Sequence, residues 1–233
     1  MKVVAFSDIH GDLIKHVPEC DIVLIAGDIT PLDIQNSVEK SMAWFYMDFL
    51  PWAEALPCKK VLFIAGNHDY WLEQIGNRRG RSAKDIMKLL YRSKYSKDNK
   101  VIYLENSWYE FEGKKFYGFP WCPVLSNWSF YKSPEDMQKA VQNIPNCDVL
   151  ITHCPPKYTL QGTVLQQGWN FMNDFGCLEL NEIIGQRIIQ YNICGHIHSG
   201  KHIPDELHGT KVVNVSSKDE DYRTNYDVFE FEL

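Results

Sequence analysis

The 233-residue chain lacks any run of about 18 consecutive apolar residues, the length a membrane helix needs. Its apolar start is broken by Asp8, His10 and Asp12, so neither a signal peptide nor an anchor is expected. It also lacks a Cys-x-x-Cys pair. The seven cysteines, at positions 20, 58, 122, 147, 154, 177 and 194, are scattered and odd in number. That pattern indicates no zinc clip and no redox motif, and predicts reduced, mostly buried thiols in a cytoplasmic protein. No internal repeat and no long Pro/Gly/Ser linker divides the chain, so one domain over residues 1–233 is expected. Neither sign of charge dominates: 24 Lys plus Arg face 30 Asp plus Glu. With 45% hydrophobic residues, this is the composition of a globular protein and excludes disorder.

Short β-branched runs recur between segments of helical spacing, at Lys2–Ser7, Asp21–Ala26, Lys60–Ala65, Asp148–Thr152 and Tyr191–Cys194. The alternation predicts an α/β fold with strands buried on both faces. A second, closer-spaced set lies at Ser107–Phe111, Lys114–Phe119, Lys211–Val215 and Asp227–Phe231, with Glu112-Gly113 as a hairpin turn. Two packed sheets are therefore expected. Ser133-Pro134-Glu135-Asp136 reads as a capped helix start running to about Gln142. Apolar periodicity predicts further helices over Gln35–Leu50 and Leu178–Ile189.

Each buried strand of the first set is followed by polar residues: Asp8 and His10, Asp28, Asn67-His68-Asp69, His153, then His196 and His198. In an α/β sheet the carboxyl ends of strands border the binding crevice, so the five clusters should converge. Carboxylates, imidazoles and one amide suit Mn, Fe, Zn, Co or Ni. Seven candidate ligands exceed the four of a tetrahedral zinc site, and two ions sharing one carboxylate is the economical count.

In this order, D-x-H, G-D, G-N-H-D, a lone His after a strand and G-H-x-H resemble the calcineurin-like metallophosphoesterase superfamily. Gly118-Phe119-Pro120-Trp121, Thr152–Pro156, Gly176-Cys177 and Asn214-Val215-Ser216 resemble its metallophosphoesterase-domain-containing (MPPED-like) subgroup. Phe119 stands where the subgroup usually has a small residue, and Cys154 where Gly is common. The resemblance implies a four-layer α-β-β-α sandwich of two mixed β-sheets flanked by helices, with the metal site at the strands' carboxyl ends. It implies that Asp8, His10, Asp28 and His198 hold one ion, and that Asp28 bridges to a second held by Asn67, His153 and His196, with manganese favoured. His68 matches the catalytic histidine, and Asp69 would orient it. Asn67 and Trp121 are the expected substrate contacts. A histidine at position 196 is associated in the family with phosphodiesterase activity, and the subgroup points to cyclic nucleotides, the 2′,3′-cyclic kind foremost. A phosphomonoesterase or protein phosphatase of the same fold, and a non-catalytic scaffold, are the alternatives.

Trp71 and Trp128 also flank the motifs and could stack on a base or an aryl group. His16, His202 and His208 lack partners at ligand spacing and are expected at the surface. Segment 77–100 holds nine basic residues (Arg78, Arg79, Arg81, Lys84, Lys88, Arg92, Lys94, Lys97, Lys100) against Asp85 and Asp98. Ser82 and Asp85 resemble a capping pair opening a basic amphipathic helix. That helix is either a solvated face or a rim attracting RNA or nucleotide ends. Protein partners are not readable.

Overall fold

Alternation along each strand sets the layers. In the computed structural model, strands β1 (Lys2–Phe6), β2 (Ile22–Ile25) and β3 (Lys60–Phe63) are buried almost throughout. Val4, Phe6, Val23, Ile25, Val61 and Phe63 face one apolar layer, whereas Val3, Ala5, Ile22, Leu24 and Leu62 face another. This is the period-two geometry of a strand with core on both sides. The described residues are all but 80–81, 83, 86, 89–98, 124, 126, 166–171 and 201, and the side chains of 76–79, 165 and 172.

The first sheet has the order β13 (Phe229–Glu232)-β1-β2-β3-β4 (Val101–Tyr103), parallel except for β13. The second joins β11 (Asp205–Leu207), β12 (Thr210–Asn214), β10 (Ile189–Cys194), β7 (Cys147–Thr152), β6 (Lys114–Phe119) and β5 (Ser107–Phe111) in that order. Its central pairs are parallel, and its two outer pairs are antiparallel. A separate hairpin pairs β8 (Thr163–Leu165) with β9 (Met172–Asp174).

Between the sheets lie Phe116, Val149, Ile151, Ile193 and Val213 together with the inner residues of β1 to β3. Helices α1 (Val38–Trp44), α2 (Leu50–Ala55) and α3 (Tyr70–Arg79) cover the first sheet through Phe45, Phe49, Ala53 and Trp71. Helices α4 (Pro134–Val141) and α5 (Leu178–Ile184) cover the second through Met137, Val141, Leu180 and Ile183. The expected sandwich of two mixed sheets flanked by helices is the architecture observed.

Several details differ from expectation. Strands β4, β8, β9 and β11, three residues each, and helix α3 lie outside every run the sequence marked. Sheet membership cuts across the two strand sets: β7 and β10 lie in the second sheet, and the C-terminal β13 closes the first. The helix expected over Leu178–Ile189 stops at Ile184, where Gly185 and β10 follow, leaving Ile188 exposed. The helix expected over Gln35–Leu50 starts at Val38 and contains a π turn at Phe45–Phe49, in which the Leu50 amide donates to Phe45 O. Pro51 next in the chain has no N–H and crowds the preceding turn, so widening there removes a conflict that a regular helix would keep. Ser133 caps α4 as expected, accepting from the Asp136 amide at 3.2 Å.

Candidate metal centre

Five parallel strands deliver the polar clusters to one end of the sandwich. Asp8 and His10 follow β1, Asp28 follows β2, Asn67 and His68 follow β3, His153 follows β7, and His196 and His198 follow β10. The two sheets are joined there: Ser7 bridges to Ser216, the Ser7 amide donating to Val215 O at 2.9 Å. Ligand atoms of Asp8, His10 and His198 lie within 4.8 Å of one another, as do those of His10, Asp28 and His68, and those of Asp8, Asp28 and His153. Asn67 Oδ1 is 3.0 Å from His153 Nε2, and the His196 ring is 5.0 Å from that of His153. Asp28 occupies the centre, its Oδ2 3.3 Å from His153 Nε2 and 3.9 Å from both His10 Nε2 and His68 Nε2.

Backbone strain gathers at these residues. Asp8, His10, Asp28 and His196 have φ of 53°, 43°, 52° and 70°, a region costing an L-residue about 1–2 kcal/mol. Such strain marks sites where side-chain direction matters more than local comfort. Close approach explains two glycines: a Cβ on Gly66 would meet Asp28 Oδ1 and His153 Cε1, and one on Gly195 would meet Ser7 Oγ and Asp8 Oδ2.

Neighbouring groups set ring orientation. His153 Nδ1 donates to Ala26 O at 2.8 Å and His198 Nδ1 to Asp219 O at 3.0 Å, leaving each Nε2 facing a carboxylate. This is how ligating imidazoles are usually held. The His196 amide donates to Asp8 at 3.1 Å and the His68 amide to Asp28 Oδ1 at 2.8 Å.

Electrostatics fit the same purpose. Burial opposes charge on Asp8, but the hydrogen bond from His198 and the charge of His153 outweigh it and hold the carboxyl at about 2. Asp28 is also held well below the carboxylate range, burial being overcome by His153 and His68. Burial pushes His10 down to about 4, and burial with His153 does the same to His196, so both are neutral near pH 7, as ligands must be. His153 moves the other way: burial is outweighed by Asp28, which raises it to about 10.

A divalent cation fits this set. Both ring nitrogens of His10 are buried without a hydrogen-bond partner among the described residues, a condition costing about 1–3 kcal/mol per group that coordination would relieve. Two fully buried carboxylates are met by imidazoles, backbone amides and, at Asp8, the Ser7 hydroxyl, with no Lys or Arg ion pair among the described residues.

Asp69 requires a correction. Its carboxylate does not touch the His68 ring; it accepts from the amides of Ile29 (3.2 Å), Thr30 (3.0 Å) and Gly66 (2.8 Å) and from Thr30 Oγ1 (2.7 Å). Consecutive side chains of the turn diverge, so His68 faces the site and Asp69 faces the interior. Burial, then the charge of Asp28, raises Asp69 to about 6. The partner of His68 Nδ1 is Gln35 Oε1, which no local motif announced.

Trp121 also lies elsewhere than expected. Its Nε1 donates to Asn106 Oδ1 at 3.0 Å, and Lys132 Nζ sits 3.6 Å from its ring centre. The cleft over the centre, about 380 Å³, is lined instead by Asn67, His68, Trp128, Phe175, His196 and Tyr222. Trp128 lies 4.4 Å from the His68 ring, and Tyr222 lies 5.0 Å from His10 and 4.9 Å from His198. Asp219 holds the Tyr222 turn by accepting from the amides of Asp221 and Arg223 at 3.0 and 2.9 Å. An Asp two residues ahead of such a turn is a readable signal.

The remaining expectations divide. Trp71 is core, its Nε1 donating to Thr30 Oγ1 at 3.0 Å. Phe119 and Cys154 are fully buried beneath the second sheet. His16 and His208 are exposed, but His202 is half-buried, stacked 3.6 Å from Tyr226. In the basic segment, Ser82 and Asp85 pair as expected, with the amide of Asp85 on Ser82 Oγ at 3.4 Å. Lys100 is not a rim residue: its Nζ donates to Glu54 O and Leu56 O at 2.7 and 2.6 Å, closing the end of α2. The side chains of Arg78 and Arg79, and Arg81, Arg92, Lys94 and Lys97, lie outside the described residues.

Residues 1–200 match the family model described as calcineurin-like phosphoesterase. The UPF0046 protein C25E10.12 of Caenorhabditis elegans is 28% identical over 241 residues, covering 100% of this chain and 81% of that protein. Metallophosphoesterase domain-containing protein 1 of Homo sapiens is 27% identical over 220 residues, covering 85% of this chain. The match spans only 61% of the human relative's length. TT1561 of Thermus thermophilus shares the fold at 14% identity and TM-score 0.58, with 91% and 88% of the two chains covered. A phosphopantetheinyl hydrolase from Mycobacterium tuberculosis does so at 15% identity and TM-score 0.57, with 99% and 95% covered. With the family's metal-binding residue types gathered at one end of the family's fold, the chain belongs to the calcineurin-like phosphoesterases.

Proposed function

We propose that the chain is a dinuclear-metal phosphodiesterase of the cytoplasm acting on small nucleotide diesters, cyclic nucleotides foremost and the 2′,3′-cyclic kind among them. The observation that carries this reading is the position of His68. Its Nε2 lies 3.9 Å from Asp28 and its ring 4.4 Å from the partly exposed Trp128, so a proton donor and a flat apolar surface flank one cleft. Asp8, His10, Asp28 and His198 would hold one ion and Asn67, His153 and His196 the other, sharing Asp28, with manganese the favoured metal. Such ions supply charge neutralisation at phosphorus and an activated water near neutral pH.

The protein's own groups then divide the work. His68 donates its proton from Nε2 to the departing alkoxide, and Gln35 fixes Nδ1 as the other nitrogen. The Asn67 side chain, which lines the cleft, would contact the phosphoryl group. Trp128 offers its face to a base, a contact worth about 1–3 kcal/mol. His196, retained where the family associates it with diester cleavage, supports diester over monoester substrates.

The test is turnover of bis-p-nitrophenyl phosphate and 2′,3′-cyclic AMP by metal-stripped protein reloaded with Mn, Ni, Zn or Mg, with Asp28→Asn as control. Metal-dependent diester cleavage that the control loses is expected. Cleavage of monoesters alone would overturn the diester reading, and metal binding without turnover would favour a scaffold.

A further inference from the structure

The half of the centre built from Asn67, His153 and His196 has a thiol beside it. Cys122 Sγ, a ring nitrogen of His153 and one of His196 lie within 4.8 Å of one another, the same spacing that joins Asp8, His10 and His198. Cys122 is fully buried. Its backbone is pinned on both sides, the amide donating to Phe130 O at 2.7 Å and the carbonyl accepting from the Lys132 amide at 3.0 Å. The sulfur is thus placed by a β-bridge to Tyr131.

Charge makes the position meaningful. The half at Asp8, His10 and His198 has a carboxylate of its own besides its share of Asp28. Asn67, His153 and His196 are all neutral as ligands, so their half has only that share. A buried cation held mainly by neutral groups is poorly compensated, and a thiolate would give this half its own anion.

We propose that Cys122 is a sulfur ligand to the ion held by Asn67, His153 and His196, so that the two halves select different metals. This rests on the metal-centre reading above. As the sulfur–metal bond forms, the thiol proton leaves to solvent, and no oxidation is involved. Sulfur with imidazole favours zinc or iron, whereas the carboxylate-rich half accepts manganese or magnesium. The chain thereby holds a mixed pair of ions.

Cobalt(II), added alone to the metal-stripped chain, reads both claims by absorbance. Visible ligand-field bands are expected, with a near-ultraviolet sulfur-to-cobalt charge-transfer band. Cys122→Ser should remove the charge-transfer band and keep the visible bands, and Cys154→Ala should keep both. Visible bands without charge transfer in the unsubstituted chain overturn the proposal while leaving the metal centre standing, as does a charge-transfer band that survives Cys122→Ser. Absence of any visible band removes the metal centre and this proposal together. If Cys122→Ser does not fold, the unsubstituted chain still decides by metal content after exposure to equimolar zinc and manganese. One of each per chain supports the mixed pair, and two of the same ion overturns it.

Discussion

His68 and Gln35, proposed as a proton donor and its holder, should respond differently to substitution. His68→Ala removes the proton donor and is expected to slow alkyl leaving groups by about 10²–10⁴-fold while sparing nitrophenolate, which needs no proton. Equal losses on both leaving groups in parallel rate assays would contradict the acid role. Gln35→Leu leaves the ring and removes its partner; a fall of about 10–100-fold in kcat with KM unchanged is expected. The pH profile of kcat should shift in that variant, and an unshifted profile would reduce Gln35 to packing. His68 was legible because it lies inside a short motif. Gln35 was not, because it is 33 positions away in the chain and meets the ring only through the packing of two loops.

Asp69 belongs to the scale of elements, because it ties the turn after β3 to the turn after β2. Three backbone amides depend on its carboxylate, and leaving each buried without a partner costs roughly 1–3 kcal/mol. Asp69→Ala should therefore lower stability in urea by several kcal/mol, with Asp69→Asn losing less because its amide oxygen still accepts. If Asp69→Ala keeps full stability and reproduces the leaving-group selectivity of His68→Ala, the clamp is wrong and the orienting role is right. At this scale nine of the thirteen described strands were legible to within a few residues, since burial on alternate sides writes itself into the apolar pattern, whereas β4, β8, β9 and β11, three residues each, are too short to show one. The π turn ahead of Pro51 and the early end of α5 were not, because periodicity marks a face better than a boundary.

For the molecule as a whole, metal occupancy, proton content and stability are linked. His153 is raised from the ordinary 6.5 to about 10 in the metal-free protein, so near pH 7.5 it holds a proton that coordination must expel. Metal affinity should then rise with pH up to about 10, with on the order of one proton released from His153 and a second where the Cys122 thiol coordinates. Calorimetry in buffers of differing ionisation heat measures this, and zero release at constant affinity would contradict it. The same proton stabilises the metal-free fold fully below pH 6.5, and that contribution is lost as pH rises through about 10. Each ion, at about 100-fold over its Kd, should add about 2.7 kcal/mol and raise Tm by roughly 5–10 °C, reversed by a chelator.

The amino-acid sequence by itself determined the donor types, their order along the chain and their places after buried strands, because these are local patterns of two to four residues. Its strand runs also determined an α/β fold of two packed sheets, and its family resemblance implied the four-layer sandwich. Only the tertiary structure decided that β7 and β10 share the second sheet, that Trp128 and Tyr222 rather than Trp121 wall the cleft, and that Cys122 lies beside His153 and His196. These depend on contacts between segments far apart in the chain. Such contacts are set by how the two sheets pack, and no spacing within a segment encodes them.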